Sequence, residues 1–192
     1  MSTSGNQNNA AYVSAAKPAV AGAISVAPKG TTVPTTAEGQ LDSGFKAMGY
    51  VSDDGVTNAN SPTVETVKAW GGDTVLVTSS EKPDTFKYTL LEVLNYQVLK
   101  YVYGAENVSG SLDSGISIKA NNAVQPEYVI VIDMVMRGGI LHRIVIPNGS
   151  ISEVGEITYK DNEAAGYETT VTCIPDSEGN THYEYFKAAS TT

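Results

Sequence analysis

The stretch EYVIVIDMVMRGGILHRIVIP, residues 127–147, decides the fold. Gly138 and Gly139 separate two runs rich in valine and isoleucine. Because glycine adopts the positive φ angles that a tight turn requires, these runs are predicted to form an antiparallel hairpin. Side chains two positions apart share one face of a strand. One face of the first run is therefore a core face, formed by Tyr128, Ile130, Ile132, Met134 and Met136.

Runs of the same kind recur between clusters of Gly, Pro, Asn and Asp on both sides of this hairpin. They span residues 22–28, 45–51, 63–70, 73–79, 84–92, 115–120, 127–137, 140–147, 151–160, 167–175 and 182–187. Eleven strands exceed what one sheet usually holds, so an antiparallel β-sandwich or barrel is predicted. Turn residues at 161–163 and 175–180 predict that the last third is an antiparallel meander.

One segment shows helical rather than strand spacing. Asn95 is a suitable N-cap, and Gly104 can end the helix. The apolar stripe consists of Leu94, Val98, Leu99, Val102 and Tyr103. A single short helix that packs against the sandwich is therefore predicted.

Composition excludes several classes of protein. The 192 residues carry 21 acidic and 12 basic side chains, a net charge of −9, which disfavours a surface that holds nucleic acid. Cys173 is the only cysteine, and with His142 and His182 it cannot make a four-ligand zinc site. The sequence also predicts neither a membrane span nor a signal peptide, and thus folding in a cytoplasm.

No motif points to catalysis or to a cofactor. Phosphate-binding glycine motifs are missing, and the acidic turns lack the spacing of a calcium loop. The position of His142 on a strand face indicates a core or interface residue, and Cys173 is predicted to be a small buried side chain. We therefore predict no catalytic residue, no metal, no cofactor and no enzymatic activity.

The chain is predicted to consist of one domain with two short extensions. Residues 1–19 are rich in Ser, Asn, Ala and Gln and are predicted to be a flexible arm. The domain spans residues 20–187, and residues 188–192 are a short polar tail.

Five blocks, in this order, resemble the major tail proteins, or tail tube proteins, of long-tailed (siphovirus-type) bacteriophages. They are APKGTTVP (27–34), LDSGFKAMGYVSDDGVT (41–57), KAWGGDTV (68–75), DTFKYTLLEVLNYQVLKYVYG (84–104) and VIPNGSISEVGEITYKDNEAAGYETTVTCIPDSEGNTHYEY (145–185). The resemblance covers roughly residues 20–187. It implies a β-sandwich with a flanking helix, whose copies form hexameric rings that stack into the tail tube.

The resemblance also implies partners and a location. The subunit would bind further copies of itself, a tape-measure protein, and tail-tip and tail-terminator proteins. The genomic DNA would pass through the tube into the host without specific binding and without a membrane partner. Assembly would take place in the host cytoplasm, and the product would be part of the virion. Two alternatives are a tube subunit of a bacterial contractile injection device and a monomeric β-sandwich that binds carbohydrate or acts as an adhesin.

Stacked rings require more than one adhesive surface on each subunit. Val129, Val131 and Val135, opposite the core face, are candidates for ring closure. The segment 51–69 is longer than a connection needs and is predicted to reach the adjacent ring. Its candidate contact residues are Asp53, Asp54, Gly55, Asn58, Asn60 and Pro62.

A predicted hairpin within residues 150–174 supplies candidates for the channel wall. Its polar face would consist of Glu156, Thr158, Lys160, Glu168, Thr170 and Thr172. This face either lines the lumen or meets the outer solvent. An acidic wall would suit passing DNA, because carboxylates do not retain phosphates.

Overall fold

The computed structural model describes residues 8–19 and 22–188, except for the side chains of residues 80 and 81. The strands are β1 (Ala16–Pro18), β2 (Ile24–Pro28), β3 (Lys46–Ala47), β4 (Val51–Asn60), β5 (Thr63–Lys68), β6 (Thr74–Glu81), β7 (Asp84–Leu90), β8 (Val108–Ser111), β9 (Gly115–Ile118), β10 (Tyr128–Met136), β11 (Ile140–Val154), β12 (Tyr167–Cys173) and β13 (Tyr183–Ala188). The α-helix is α1 (Tyr96–Tyr103), and 3-10 helices span Ala10–Tyr12, Ala105–Asn107 and Arg137–Gly139. No helix in these ranges is long and apolar enough to cross a membrane.

Nine strands form one antiparallel sheet in the order β3-β2-β10-β11-β12-β7-β4, with β1 also paired to β10 and β13 also paired to β11. The long strand β11 joins the two halves, because Ile140–Val145 pairs with β13 and Gly149–Val154 pairs with β12. Among the described residues the end strands β3 and β4 do not pair with each other, so the sheet is not a closed barrel.

The core lies between the two halves of this sheet. Ile24, Ile130 and Ile144 from one half share a buried cluster with Phe86 and Tyr88 from the other. Buried residues of α1 complete that cluster. The sheet therefore curves around one core in the manner of a sandwich. This architecture confirms the predicted all-β fold with one α-helix.

The hairpin of β10 and β11 confirms the turn prediction, with φ of +79° at Gly138 and +77° at Gly139. Ile130 and Ile132 are fully buried, as predicted for the core face.

The second face of β10 is also buried within the subunit. Val129 and Val131 are at most 1% exposed, and Val135 is half-buried. Arg143 fastens the connection 29–45 over this face, since its guanidinium donates to the carbonyl oxygens of Thr36 (3.3 Å) and Gly39 (3.3 Å). The prediction that Val129 and Val131 close a ring is therefore wrong, because the chain covers them itself.

Helix α1 begins and ends at the predicted cap residues, Asn95 and Gly104. The Oδ1 of Asn95 accepts a hydrogen bond from the Gln97 backbone N–H (2.9 Å), and Gly104 ends the helix with a φ of +91°. Val98, Leu99 and Val102 are buried as expected. Leu94, however, is 65% exposed, because it precedes the N-cap and does not lie on the helical stripe.

The predicted meander is wrong for its last strand. β13 does not pair with β12; it crosses to β11, where Ile144 lies opposite Glu184. The turn at 175–180 forms as expected, with Asp176 Oδ1 accepting hydrogen bonds from the backbone N–H groups of Glu178 (2.9 Å) and Asn180 (3.0 Å).

The division into arm, domain and tail stays a prediction. Residues 1–7 of the arm and 189–192 of the tail lie outside the described residues. Within the predicted arm, β1 pairs with β10, and Ser14 Oγ accepts a hydrogen bond from the Arg137 backbone N–H (2.8 Å).

Candidate channel and assembly surfaces

A polar face covers the outer side of β7 and β12. The buried side chains Phe86, Tyr88 and Leu90 of β7 alternate with outward ones at 85, 87 and 89. Cross-strand pairing places outward residues of β12 beside them, Thr172 at Thr85, Thr170 at Lys87 and Glu168 at Thr89. Glu153 of β11 lies opposite Thr170. We call this surface the polar face; it consists of Thr85, Lys87, Thr89, Glu153, Glu168, Thr170 and Thr172.

The charges of the polar face are linked to one another. Lys87 Nζ lies 2.8 Å from Glu168 Oε1, and both side chains are about half exposed, so this ion pair contributes little to stability. Its hydrogen bond to Glu168 raises the pKa of Lys87, and Glu153 adds to that effect. Two carboxylates and one ammonium group leave the face mildly acidic.

The structure separates the predicted channel residues into two groups. Glu168, Thr170 and Thr172 share the polar face. Glu156, Thr158 and Lys160 do not join them on a paired strand, because β11 ends at Val154. They are exposed in the connection 155–166, where Lys160 pairs with Glu163 (2.7 Å).

The end of β11 is irregular and lies close to β12. A register shift between Ile151 and Glu153 distorts the pairing with β12. The backbone then approaches Glu168 so closely that a Cβ atom on Gly155 would lie 2.8 Å from its carboxylate. β11 ends at Val154, and one more backbone hydrogen bond follows, from the Gly155 N–H to the Glu168 carbonyl oxygen (2.8 Å). The strand predicted for residues 151–160, and with it the predicted hairpin, is wrong beyond this point. Whether these three residues line a channel stays a prediction.

Most of the predicted inter-ring residues lie in a strand rather than a loop. Asp53, Asp54, Gly55, Asn58 and Asn60 all belong to β4, and Pro62 precedes β5. A register shift between Val51 and Val56 makes a bulge around Gly55, which has a φ of +72°. Asp53 and Asp54 are exposed at this bulge.

Beyond β4, the chain extends into a separate two-stranded hairpin of β5 and β6. Large apolar side chains on both strands are at least half exposed: Val64, Val67, Val75, Leu76 and Val77. Trp70, at the tip, is fully exposed. A lone two-stranded hairpin is marginally stable in water. This hairpin therefore leaves a large apolar surface exposed in the isolated subunit.

A buried carboxylate lies at the base of the hairpin. Asp84 is only 1% exposed, and its oxygens accept hydrogen bonds from Asn58 Nδ2 (2.8 Å) and Thr181 Oγ1 (2.5 Å). His182 Nδ1 lies 2.6 Å from the same carboxylate. Burial alone would raise the pKa of Asp84, but the three partners outweigh it and lower that pKa. We call these residues, Asp84, Asn58, Thr181 and His182, the Asp84 cluster.

The remaining candidates for chemistry are structural. His142 stacks on Phe186 at a 3.9 Å ring-centroid distance, and its Nε2 lies 2.8 Å from Glu184. Cys173 is buried, and burial raises the pKa of its thiol to about 12, so a reactive thiolate does not form at neutral pH. Within residues 8–19 and 22–188, no three His, Cys, Asp or Glu side chains are placed to hold a metal ion.

The sequence profile of the phage tail tube protein family matches residues 6–190. The chain belongs to this family. As a phage tail tube protein, it is a structural component of the virion tail. No curated protein matches the chain.

Two features of this tail tube protein escape sequence reasoning. The hairpin is visible in the sequence as two strand-like runs around AWGGD, residues 69–73. These runs do not show that both faces of the hairpin stay away from the core. The Asp84 cluster joins residues almost a hundred positions apart. A charged residue at the start of an apolar strand is the only local signal for it.

Proposed function

We propose that this tail tube protein assembles into hexameric rings that stack into the hollow tube of a siphovirus-type tail, through which the genome is ejected into the host. It has no enzymatic activity. Its partners are further copies of itself, together with the tape-measure, tail-tip and tail-terminator proteins. Assembly takes place in the host cytoplasm.

The exposed β5–β6 hairpin carries this proposal. Trp70 and five aliphatic side chains on it are at least half exposed in the isolated subunit. Several large apolar side chains exposed together on one hairpin mark a protein interface. The hairpin, together with Pro62 and the bulge at Asp53 and Asp54, is the segment that reaches the adjacent ring. Asn58, another of the proposed contact residues, is exposed and also donates a hydrogen bond to Asp84 at the base of the hairpin.

The first prediction concerns assembly of the purified chain. At high concentration it is expected to form rings and hollow tubes of uniform diameter, without nucleotide or metal, because the apolar hairpin gains a partner only in another copy. Light scattering followed by negative-stain electron microscopy measures this. A chain that stays monomeric at millimolar concentration in both low and high salt would contradict the proposed function.

We also propose that the polar face lines the channel. Its two carboxylates outnumber the single ammonium group of Lys87, which is paired with Glu168, so the face has no excess of positive charge to hold phosphates as DNA moves past. Glu168, Thr170 and Thr172 are the proposed lumen residues of β12, and Glu153 and Lys87 lie beside them.

The second prediction tests this surface by reversing its charge. Virions with Glu153→Lys and Glu168→Lys should assemble normally, because both side chains are exposed or half-exposed. They should eject DNA more slowly, since every ring would attract phosphate, and the delay should shrink as salt rises. Ejection kinetics at several ionic strengths measure the effect.

A matched control for this test is Glu106→Lys with Asp113→Lys, which makes the same charge change at exposed positions away from the polar face. The control should eject at the wild-type rate. If the polar-face variant also ejects at that rate in low salt, Glu153 and Glu168 do not line the channel.

A tube subunit of a contractile injection device remains the second candidate, because the same fold and ring would serve it. Co-assembly with a sheath protein distinguishes the two. The monomeric carbohydrate-binding alternative is not retained, because the chain belongs to the tail tube family.

A further inference from the structure

A groove of about 710 Å³ opens beside the first half of β4. Its wall is largely apolar and includes Pro18, Tyr50, Val51, Val56 and Met134. Its charged lining residues are Asp53, Asp54, Glu92 and Lys17. Of these, Asp53, Asp54 and Lys17 form no ion pair with any described residue.

The tip of the β5–β6 hairpin has complementary chemistry. Trp70 is the only tryptophan of the chain, and its side chain is fully exposed. A short turn through Gly71 and Gly72 holds it, closed by a hydrogen bond from the Ala69 backbone N–H to the Asp73 carbonyl oxygen (2.7 Å). Lys68 and Asp73 flank the tip, and neither forms an ion pair with a described residue.

The groove and the hairpin lie toward opposite ends of β4. Val51, in the groove wall, pairs with Leu90 at one end of β7, whereas Asn60, at the base of the hairpin, pairs with Asp84 at the other. At about 3.3 Å per residue these ends are roughly 20 Å apart. A contact between one subunit's hairpin and the next subunit's groove would therefore use two different patches. Such head-to-tail contacts repeat along a row of copies instead of closing in a pair.

We infer that Trp70 of one subunit inserts into the groove of a second copy in the adjacent ring. This inference rests on the proposed tube assembly. Lys68 then approaches Asp53 and Asp54, and Asp73 approaches Lys17, which gives each free charge an opposite partner. An indole ring buries a large apolar area and fits easily in a groove of this size. The contact therefore joins successive rings and sets their order.

The third prediction uses Trp70 as its own probe. Since it is the only tryptophan, the intrinsic fluorescence of the protein reports its environment. On assembly of the wild-type chain, the emission should shift to shorter wavelength and acrylamide quenching should fall. Tubes whose tryptophan emission and quenching equal those of the dissociated subunit would overturn the inference while leaving the proposed function intact. Failure to form tubes at all would instead contradict the proposed function.

Charge exchange tests the groove itself. Lys68→Asp places like charges together and should slow tube growth about tenfold at low salt. Asp53→Lys with Asp54→Lys, added to the same chain, should restore growth because the pairs are formed again with reversed signs. Lys119→Asp, at an exposed position outside the hairpin and the groove, is the control and should grow normally. If the combined variant grows no faster than Lys68→Asp alone, the hairpin does not occupy this groove.

Discussion

A subunit in which Asn-Gly replaces residues 62–82 is expected to fold and to form no tubes. The replacement removes the β5–β6 hairpin but keeps Asn60 and Asp84, the last pair between β4 and β7. Because the hairpin side chains are exposed, the isolated subunit loses little buried apolar surface. Its β circular-dichroism signal and unfolding midpoint should therefore stay close to those of the wild type. Light scattering and electron microscopy should show no assembly at concentrations at which the wild type forms tubes.

The control for this replacement is a second exposed hairpin on the same chain. β8 and β9 pair from Val108 with Ile118 to Ser111 with Gly115, and their turn is exposed. Shortening residues 111–115 to Asn-Gly should leave tube growth unchanged. Tubes of normal length from the 62–82 replacement would show that the hairpin is not the inter-ring contact.

The sequence best predicts those elements whose conformation is decided by residues close together in the chain. The two glycines at 138 and 139 and the alternation of Ile130 and Ile132 are enough to identify the central hairpin. Asn95 and Gly104 likewise identify the ends of α1. In each case a short-range steric or hydrogen-bonding requirement decides the conformation.

β4 shows why the same reasoning fails at a sheet edge. Its sequence, VSDDGVTNAN, has almost no apolar alternation and is typical of a loop. Among the residues that the structure describes, this strand lies at the end of the sheet and pairs only with β7, so much of it faces solvent and needs no apolar pattern. β4 becomes a strand because β7 offers it unpaired backbone N–H and C=O groups. The sequence of β4 alone does not show that such a partner is present.

Long-range partners are the second limit. Val129 and Val131 are buried on the face over which the Arg143 guanidinium holds the connection 29–45, about a hundred residues earlier in the chain. The same applies to β13, which pairs with β11 although it follows β12 in the chain. Period and turn chemistry indicate that a face is buried, but they do not identify what buries it.

The sequence predicts one part of the candidate channel surface correctly and another part incorrectly. Glu168, Thr170 and Thr172 alternate with Thr169 and Val171, which are fully buried, so their common face follows from the period of a strand. Extending the same reasoning to Glu156 and beyond fails, because a bulge follows Ile151 and β11 ends shortly after it, at Val154. A bulge is set by the fit of two strands, so one strand alone does not reveal it.

The Asp84→Ala subunit is expected to be less stable than the wild type by about 3 kcal/mol. The substitution removes a buried acceptor shared by Thr181, His182 and Asn58, and the donors of Thr181 and His182 are partly buried. Urea unfolding of the dilute subunit at pH 7, followed by circular dichroism, measures the loss. Asp113→Ala is the matched control at an exposed position, and it should change the free energy of unfolding by less than about 0.5 kcal/mol.

The pH dependence gives this prediction a second readout. The pKa of Asp84 is lower in the folded chain than its ordinary value, because hydrogen bonds from Thr181, Asn58 and His182 outweigh the effect of burial. A carboxyl with a lowered folded pKa stabilises the fold fully above its unfolded pKa, about 3.9, and loses that contribution as pH falls through the folded value. Asp84→Asn lacks this titration. Its stability should therefore fall less steeply than that of the wild type below about pH 4.

The position of the Asp84 cluster links its stability to assembly. Asp84 holds Thr181 and His182, from the turn before β13, against Asn58 at the foot of the protruding hairpin. When this support is lost, the hairpin base loosens even if the core formed by Phe86 and Tyr88 remains folded. Asp84→Asn, which keeps the shape of the side chain, should therefore grow tubes faster than Asp84→Ala at a temperature where both stay folded. Equal stability of Asp84→Ala and wild type at pH 7, within about 0.5 kcal/mol, would show that water replaces the lost hydrogen bonds and that the cluster does not hold the hairpin base.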